Sequence, residues 1–297
     1  MKKMTNQARE KLILALDVDT QEEVEKLVEQ LSDLVGVFKV GHRLFTRYGP
    51  KIIEIIKEEK VKVFYDAKFY DISSVIKKAV EMGYTLIDTA EIYGLGHAEE
   101  LVGRAIKELE RDELFIISKV RPENCRFLDT LKAGLKSCER LGTYIDLYMI
   151  HSPPPPRFLP EMVRAMETLV EMGMVRYIGV SNFNQEGTEA VMELAKKNEI
   201  VANESELSLI EKRNLSLVEW CKRRGITYIA YSPLGRGDLF HHPVYERVKE
   251  VAEKMGKTPV QVALRWVLDR GVGVLVMSSK EEHLKENLGA LGWKLSG

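Results

Sequence analysis

Residues 84–120, YTLIDTAEIYGLGHAEELVGRAIKELERDELFIISKV, contain two short apolar runs separated by a longer amphipathic one. The two runs, YTLIDTA (84–90) and LFIISKV (114–120), are nearly continuous in apolar content, as strands covered on both faces are. Between them, HAEELVGRAIKELE (97–110) repeats its apolar residues at three- and four-residue spacing, which is typical of an amphipathic helix. A strand, a helix and a strand in this order predict a parallel β/α unit with a right-handed crossover.

The same alternation extends along the whole chain. Further helix-like stretches include QEEVEKLVEQLSDL (21–34) and EGTEAVMELAKKN (186–198). A parallel sheet with helices between its strands is therefore predicted throughout. The ten strand candidates are residues 12–18, 37–41, 62–68, 84–90, 114–120, 144–151, 175–180, 199–205, 226–232 and 272–278.

Polar residues stand at the carboxyl ends of many candidate strands. In a closed barrel those ends form one ring around one site, whereas an open sheet concentrates its site at a single switch point. We therefore predict an α/β fold, a parallel (β/α)8 barrel of the TIM type. Because eight strands close such a barrel, about two βα units at the amino end are surplus, and an enlarged ten-stranded barrel is the alternative. The strand-end residues are Asp17, Lys39, Asp66, Lys68, Asp88, Lys119, His151, Ser181 and Asn182.

Composition excludes several classes of protein. The chain has 297 residues, with 44 Lys and Arg against 45 Asp and Glu, so no basic excess marks it for nucleic acid or an anionic membrane surface. No apolar run is long enough to predict a membrane span, and the first residues do not resemble a signal peptide. The three cysteines, Cys125, Cys138 and Cys221, have no metal-ligand spacing, which favours a reducing, cytoplasmic location without a metal site.

From about residue 76 to 296 the sequence resembles the aldo-keto reductases. The motifs that carry the resemblance stand in the order and spacing of that family. They are GYTLIDTAEIYGLGHAEELVG (83–103), SKV (118–120), YIDLYMIH (144–151), VRYIGVSNF (175–183), AYSPLGRG (230–237) and HLKENLGALGW (283–293). The resemblance implies a (β/α)8 barrel that transfers a hydride from NADPH or NADH to the carbonyl group of a small molecule.

Hydride transfer to a carbonyl leaves negative charge on oxygen, so the site needs a proton donor and nearby positive charge. Asp88, Lys119 and His151 end three consecutive strands, and Tyr93 lies in the loop after the first of them. Neighbouring barrel strands bring such side chains together. The resemblance implies Tyr93 as general acid, Lys119 and Asp88 as the pair that tunes its pKa, and His151 as the residue that orients the substrate oxygen.

The resemblance also implies contacts to the nicotinamide end of the cofactor. Ser181 and Asn182 match the pair that holds the carboxamide, and Tyr231 matches the aromatic residue that stacks on the ring. Glu204 stands where glutamine is usual in the family. A carboxylate there accepts hydrogen bonds but cannot donate one.

At the other end of the cofactor, Met277 stands where the family often has a lysine for the 2′-phosphate of NADPH. The sequence therefore predicts weak preference for NADPH over NADH at best. The residues that the resemblance implies for the pyrophosphate and the adenosine are Ser232, Leu234, Gly235, Ser278, Ser279, Lys280 and Asn287.

Residues 12–74 resemble a different family. LILALDV, VFKVG and the D-x-K-x-x-D of DAKFYD (66–71) are similar to the opening three βα units of orotidine 5′-phosphate decarboxylase, although Tyr70 replaces the expected histidine. The resemblance implies a chimera joined near residues 72–77, with decarboxylase-like units in 1–75 and the reductase-like barrel in 76–297 as one combined domain. The strand at 62–68 then replaces the missing first reductase strand, beside that at 84–90. The decarboxylase-like site residues are Asp17, Lys39, Asp66, Lys68 and Asp71.

Three functions follow from these patterns. Reduction of an aldehyde or ketone ranks first. A catalytically impaired or inactive scaffold ranks second, since the junction replaces a strand that helps to form the nicotinamide pocket. Decarboxylation ranks third, because the loops that grip the phosphate in that family belong to strands that this chain lacks.

Overall fold

A computed structural model of the protein describes residues 13–16, 18, 20–35, 37–41, 48, 51–59, 61–66, 69–278 and 280–295. The chain divides into two compact units, Met1–Asp71 and Ile72–Gly297. Each unit has its own parallel sheet and its own apolar core. The boundary at residue 75, the junction at 72–77 and the single combined domain stay predictions.

The first unit contains three parallel strands in the order β1-β2-β3, at the places where the sequence predicts strands. A capping box at Thr20 and Glu23 begins the first helix. The elements are β1 (Ile13–Leu16), α1 (Gln21–Leu31), β2 (Val37–Gly41), α2 (Lys51–Glu58) and β3 (Lys62–Asp66), followed by α3 (Phe69–Glu81), which contains the boundary between the units. The core of the first unit includes the buried side chains of Leu16, Val24, Val28, Val35, Phe38, Ile52, Ile56 and Val61.

The second unit is built on seven parallel strands in one sheet, in the order β10-β9-β8-β7-β6-β5-β4. Its strands are β4 (Leu86–Asp88), β5 (Phe115–Val120), β6 (Ile145–Ile150), β7 (Val175–Ser181), β8 (Ile200–Glu206), β9 (Thr227–Tyr231) and β10 (Gly273–Val274). Its helices, after the end of α3, are α4 (His97–Ile106), α5 (Phe127–Leu141), α6 (Leu159–Glu171), α7 (Gln185–Leu194), α8 (Leu215–Arg223), α9 (Val244–Met255), α10 (Pro259–Leu268) and α11 (Glu281–Leu288).

This arrangement confirms the parallel β/α architecture and seven of the predicted strands in one sheet. The strand at 62–68 belongs to the first compact unit and the strand at 84–90 to the second, so their predicted adjacency stays a prediction. The predicted surplus of two βα units also stays a prediction. β10 is shorter than the predicted run 272–278, since only Gly273 and Val274 pair with β9. No helix among the described residues is long and apolar enough to cross a bilayer.

Two apolar layers cover the faces of this sheet. Every residue of β6 is buried, as the continuous apolar content of the run predicts. One layer packs the sheet against α4 to α7. The other, here called the interior cluster, joins four strands and consists of Ile117, Leu147, Met149, Ala202 and Ile229.

Candidate active site

Four strands direct polar side chains toward one interior. On β5, β8 and β9, and just after β6, a polar residue follows a residue of the interior cluster by two positions. Side chains two apart on a strand point to the same face of the sheet. The pairs are Ile117 and Lys119, Met149 and His151, Ala202 and Glu204, and Ile229 and Tyr231.

Lys119 is the charged centre of this edge and is fully buried. Its Nζ donates to Asp88 Oδ1 and, at 3.3 Å, to the carbonyl oxygen of Thr89. Glu204 Oε1 lies 3.3 Å from the same Nζ. One ammonium therefore has two carboxyl groups beside it, one from β4 and one from β8.

Burial disfavours the charge on Lys119, but Asp88 and Glu204 outweigh it and hold the pKa of Lys119 above its ordinary value. Burial also raises the pKa of Asp88, and Lys119 acts in the opposite direction. Lys119 is therefore an ammonium at neutral pH.

Tyr93 begins the turn Tyr93–Gly96, in the loop that follows β4. Its ring centroid lies 5.5 Å from Lys119 Nζ and 5.7 Å from the ring centroid of His151, and the two rings are nearly perpendicular. Burial raises the pKa of Tyr93; Lys119 lowers it, while Asp88 and Glu204 raise it further. The sequence predicts that Lys119 lowers the pKa of Tyr93. In the structure Lys119 does lower it, but burial raises it by more.

His151 presents a neutral imidazole at neutral pH. Burial, followed by the positive charge of Lys119, lowers the pKa of His151 to about 4. Its Nδ1 is buried and has no hydrogen-bond partner among the residues described. Its backbone carbonyl accepts from Asn182 Nδ2 at 2.9 Å, which ties the end of β6 to the end of β7.

Glu204 differs from the sequence-based expectation of a plain carboxylate. Burial and then the negative charge of Asp88 raise the pKa of Glu204 to about 8. Burial and Asp88 therefore favour the protonated form of Glu204, which can donate a hydrogen bond as glutamine does. Glu204 Oε2 is buried without a partner in the described part of the chain.

Ser181, Asn182 and Tyr231 lie together beside this centre. Ser181 pairs with Glu204 in the ladder between β7 and β8. Asn182 has a left-handed backbone, with φ of 62°, and its Oδ1 accepts from the Tyr231 hydroxyl at 2.8 Å. The structure thus brings the predicted carboxamide and ring contacts next to the predicted catalytic set.

Ser232, Leu234 and Gly235 form the loop after β9. The backbone nitrogen of Gly235 donates to the carbonyl oxygen of Ser232 at 2.8 Å. Gly235 has a left-handed backbone, with φ of 59°, which favours glycine, and a Cβ there would lie 2.5 Å from Cδ1 of Ile210.

Ser278 and Lys280 lie at the start of α11, and Asn287 lies in its last turn. The Ser278 hydroxyl accepts from the backbone nitrogen of Lys280 at 3.0 Å. Met277 is 94% exposed. Ser279 lies outside the described residues.

The decarboxylase-like residues belong to the first unit. Asp17 and Lys68 lie outside the described residues, whereas Lys39 is in β2, Asp66 ends β3 and Asp71 is in α3. Gly41 pairs with Asp66 in the β2–β3 ladder, which places both near the carboxyl ends of neighbouring strands.

The contact between Glu204 and Lys119 is the feature of the site that sequence reasoning missed. The two residues lie on β8 and β5, which are separated by two strands in the sheet. Their side chains meet across the interior rather than along a ladder. One feature of the sequence pointed to this contact. Lys119 and Glu204 each follow a residue of the interior cluster by two positions, so both side chains face the same interior.

Known proteins resemble this chain in sequence. The model of the "Aldo/keto reductase family" matches residues 66–297. Glyoxal reductase of Bacillus subtilis (strain 168) is 40% identical over 226 residues, covering 74% of this chain and 78% of that protein. Methylglyoxal reductase DkgB of Yersinia pestis is 35% identical over 223 residues, covering 72% and 79%.

The likeness extends to the fold. A crystal structure of an aldo-keto reductase from Klebsiella pneumoniae in complex with NADPH has a TM-score of 0.73 to this chain. The two are 32% identical, and the likeness covers 78% of this chain and 83% of that one.

Proposed function

This chain belongs to the aldo/keto reductase family and reduces carbonyl groups with NADPH or NADH, and from that premise we propose that it acts on small 2-oxoaldehydes with Tyr93 as proton donor. The observation that carries the role of Tyr93 is the buried ammonium of Lys119, which lies 5.5 Å from the Tyr93 ring beside two carboxyl groups. The substrate class is supported by the glyoxal and methylglyoxal reductases that the chain resembles.

The residues present fit a nicotinamide cofactor. Glu204 Oε2 is a buried polar atom without a partner among the described residues, and it lies on the same ladder as Ser181. We assign Ser181, Asn182 and Glu204 to the carboxamide and Tyr231 to the ring. The Ser232–Gly235 loop is assigned to the pyrophosphate, and Ser278, Lys280 and Asn287 to the adenosine end.

When bound, the nicotinamide supplies the hydride that reduces the carbonyl carbon. The Tyr93 hydroxyl then gives its proton to the oxygen on which negative charge develops. Lys119 stabilises the tyrosinate that remains, because an ammonium favours the ionised form of a nearby phenol. His151, being neutral, orients the substrate oxygen through a ring N–H without adding a second positive charge beside Lys119.

A steady-state assay that follows NADPH absorbance tests the substrate class. We expect kcat/KM for methylglyoxal and glyoxal to exceed that for benzaldehyde by at least about tenfold, equivalent to about 1.4 kcal/mol in transition-state binding. Equal values for the three aldehydes would contradict the substrate proposal. Cofactor binding without turnover of any aldehyde would instead favour the catalytically impaired scaffold.

We further propose that residues 12–74 derive from a barrel similar to orotidine 5′-phosphate decarboxylase. The order β1-β2-β3 with its own core supports this, and residues 12–65 lie outside the reductase family match, which does include residues 66–74. Decarboxylation is not the proposed activity. Incubation with orotidine 5′-phosphate should leave its absorbance unchanged, and release of carbon dioxide would contradict that expectation.

A reducing, cytoplasmic location is part of the proposal. Cys125, Cys138 and Cys221 are all buried and unpaired, which is expected where thiols stay reduced.

A further inference from the structure

We propose that the buried ion pair of Glu99 with Arg140 positions Tyr93 relative to Lys119, which makes both of them positioning residues for the reaction. The inference rests on the proposed role of Tyr93 as proton donor. Neither residue touches the reacting groups, and both act through the turn that carries Tyr93 and the strand that carries Lys119.

The turn after Tyr93 has an unusual backbone. Three consecutive residues have left-handed conformations, with φ of 59° at Gly94, 56° at Leu95 and 93° at Gly96. Leu95 is not a glycine, so its conformation is strained, and its side chain is 71% exposed. Strain of this kind persists only where the surroundings hold it, and packing of the Leu95 side chain is too sparse to do so.

Arg140, from α5, supplies that support. A Cβ on Gly96 would lie 2.6 Å from Arg140 Nε and 2.7 Å from its Cδ, so the Arg140 side chain lies directly against the turn. Two features favour glycine at position 96: its positive φ and its contact with the Arg140 side chain. Any movement of Arg140 therefore removes the surface on which the turn rests.

Glu99 in turn fixes Arg140. It is fully buried, and its Oε2 accepts from Arg140 Nε at 2.7 Å and pairs with Nη2 at 2.5 Å. Ser137 accepts from the same Nη2 at 3.2 Å. Two contacts to one carboxylate oxygen and a third from Ser137 hold the planar guanidinium in one orientation.

The other oxygen of Glu99 reaches the strand that carries Lys119. Glu99 Oε1 accepts from the Ser118 hydroxyl at 2.5 Å, and Ser118 is buried on β5. Successive residues of a strand point to opposite faces, so Ser118 faces Glu99 while Lys119 faces the interior. One carboxylate thus links the Tyr93 turn, through Arg140, to the backbone of Lys119.

This link bears on rate rather than on binding. Proton transfer depends on the distance between donor and acceptor, and a displacement of about 1 Å costs on the order of 10²-fold in rate. Among the described residues, the hydrogen bonds and ion pairs of Glu99 and Arg140 join them to each other, to Ser118 and to Ser137, none of which is assigned to the substrate or the cofactor. Its loss is therefore expected to change kcat while leaving KM nearly unchanged.

The test compares Glu99→Gln with Asp146→Asn, a matched control. Asp146 is equally buried and accepts from Arg111 at 2.6 Å, but it lies at the amino end of β6, away from Tyr93. Turnover of methylglyoxal with NADPH is normalised to cofactor-binding sites counted by fluorescence titration, so that unfolded protein does not count. We expect kcat to fall by about 10²-fold in E99Q with KM within about twofold, and both constants to stay within about threefold in D146N.

Amide hydrogen exchange of a peptide covering residues 89–97 gives a second readout that needs no turnover. Exchange in this turn should rise in E99Q and stay unchanged in D146N. Arg140→Gln, which removes the guanidinium that lies against the turn and leaves the backbone of the turn unchanged, should reproduce both effects and replaces E99Q if that variant fails to fold. A kcat within threefold of the control overturns the inference whatever the exchange shows, and so does unchanged exchange. Full activity of Tyr93→Phe would instead overturn the proposed function.

Discussion

At the amino end of the sheet of the second unit, one buried carboxylate is surrounded by donors; at the carboxyl end, one buried ammonium is surrounded by acceptors. Asp146 Oδ2 accepts from the Ile116 backbone nitrogen at 2.8 Å and from Arg111 at 2.6 Å, and its Oδ1 accepts from Arg176 at 3.1 Å. Lys119 at the other end is paired with Asp88 and Glu204.

The two clusters differ in how completely their polar atoms are paired. Both oxygens of Asp146 have partners. Around Lys119, by contrast, Thr89 Oγ1, His151 Nδ1 and Glu204 Oε2 are buried without a partner among the described residues. A buried polar group left unpaired costs about 1–3 kcal/mol. The amino-end cluster is therefore arranged for stability, and the carboxyl-end cluster retains polar atoms that a bound ligand can satisfy.

Tyr93→Phe should produce the largest effect, because it removes only the hydroxyl at the carboxyl end. We expect kcat to fall by about 10²–10⁴-fold, the range for loss of a general acid. The Kd of NADPH, measured by fluorescence titration, should stay within about twofold of the wild-type value, since the ring remains. Turnover equal to that of the wild type would contradict a catalytic role for the carboxyl-end cluster.

Asp146→Asn should show the opposite pattern. Removing the charge leaves two arginines without their shared partner, and breaking a buried ion pair costs about 3–5 kcal/mol. Because Arg176 is half-exposed, we expect the lower part of that range in urea unfolding, with kcat nearly unchanged. A loss of activity without a loss of stability would show that the amino-end cluster also serves catalysis.

Glu204→Gln should change how stability depends on pH. The folded state raises the pKa of Glu204 from 4.5 to about 8, so between these values it binds a proton that the unfolded chain has released. The stability of the wild type relative to the glutamine variant should therefore fall as pH rises from 5 to 8, by more than about 1.4 kcal/mol, which corresponds to one unit of pKa; His151, whose lowered pKa acts in the opposite direction, contributes to both proteins alike. Urea unfolding of both proteins at the two pH values gives this difference. Parallel pH dependence in both proteins would contradict the assignment.

Met277→Lys should have the smallest effect, because the side chain is 94% exposed and its charge is screened by solvent. We expect NADPH to bind up to about tenfold more tightly, or about 1.4 kcal/mol, and NADH to change by less than about twofold. Wild-type preference for NADPH of about a hundredfold or more would contradict the prediction. It would indicate that another cation, such as Lys280, already contacts the 2′-phosphate.

Local patterns account for much of what could be predicted. Whether a segment is a strand or a helix depends on the spacing of its apolar residues, and these spacings are short. The runs at 114–120 and 144–151 became β5 and β6 within one residue at each end. Asp88, Lys119 and His151 could be grouped because consecutive strands of a parallel sheet end at one edge.

The sequence by itself determined the alternation of strands and helices and the identity of the polar residues at the strand ends. Only the tertiary structure decided that Glu204 meets Lys119 and that Arg140 supports Gly96, since both contacts join segments far apart in the chain. It also decided the direction in which the pKa values of Glu204 and His151 are shifted. The pKa of each depends on burial and on charges brought near by folding, and neither quantity is a property of local sequence.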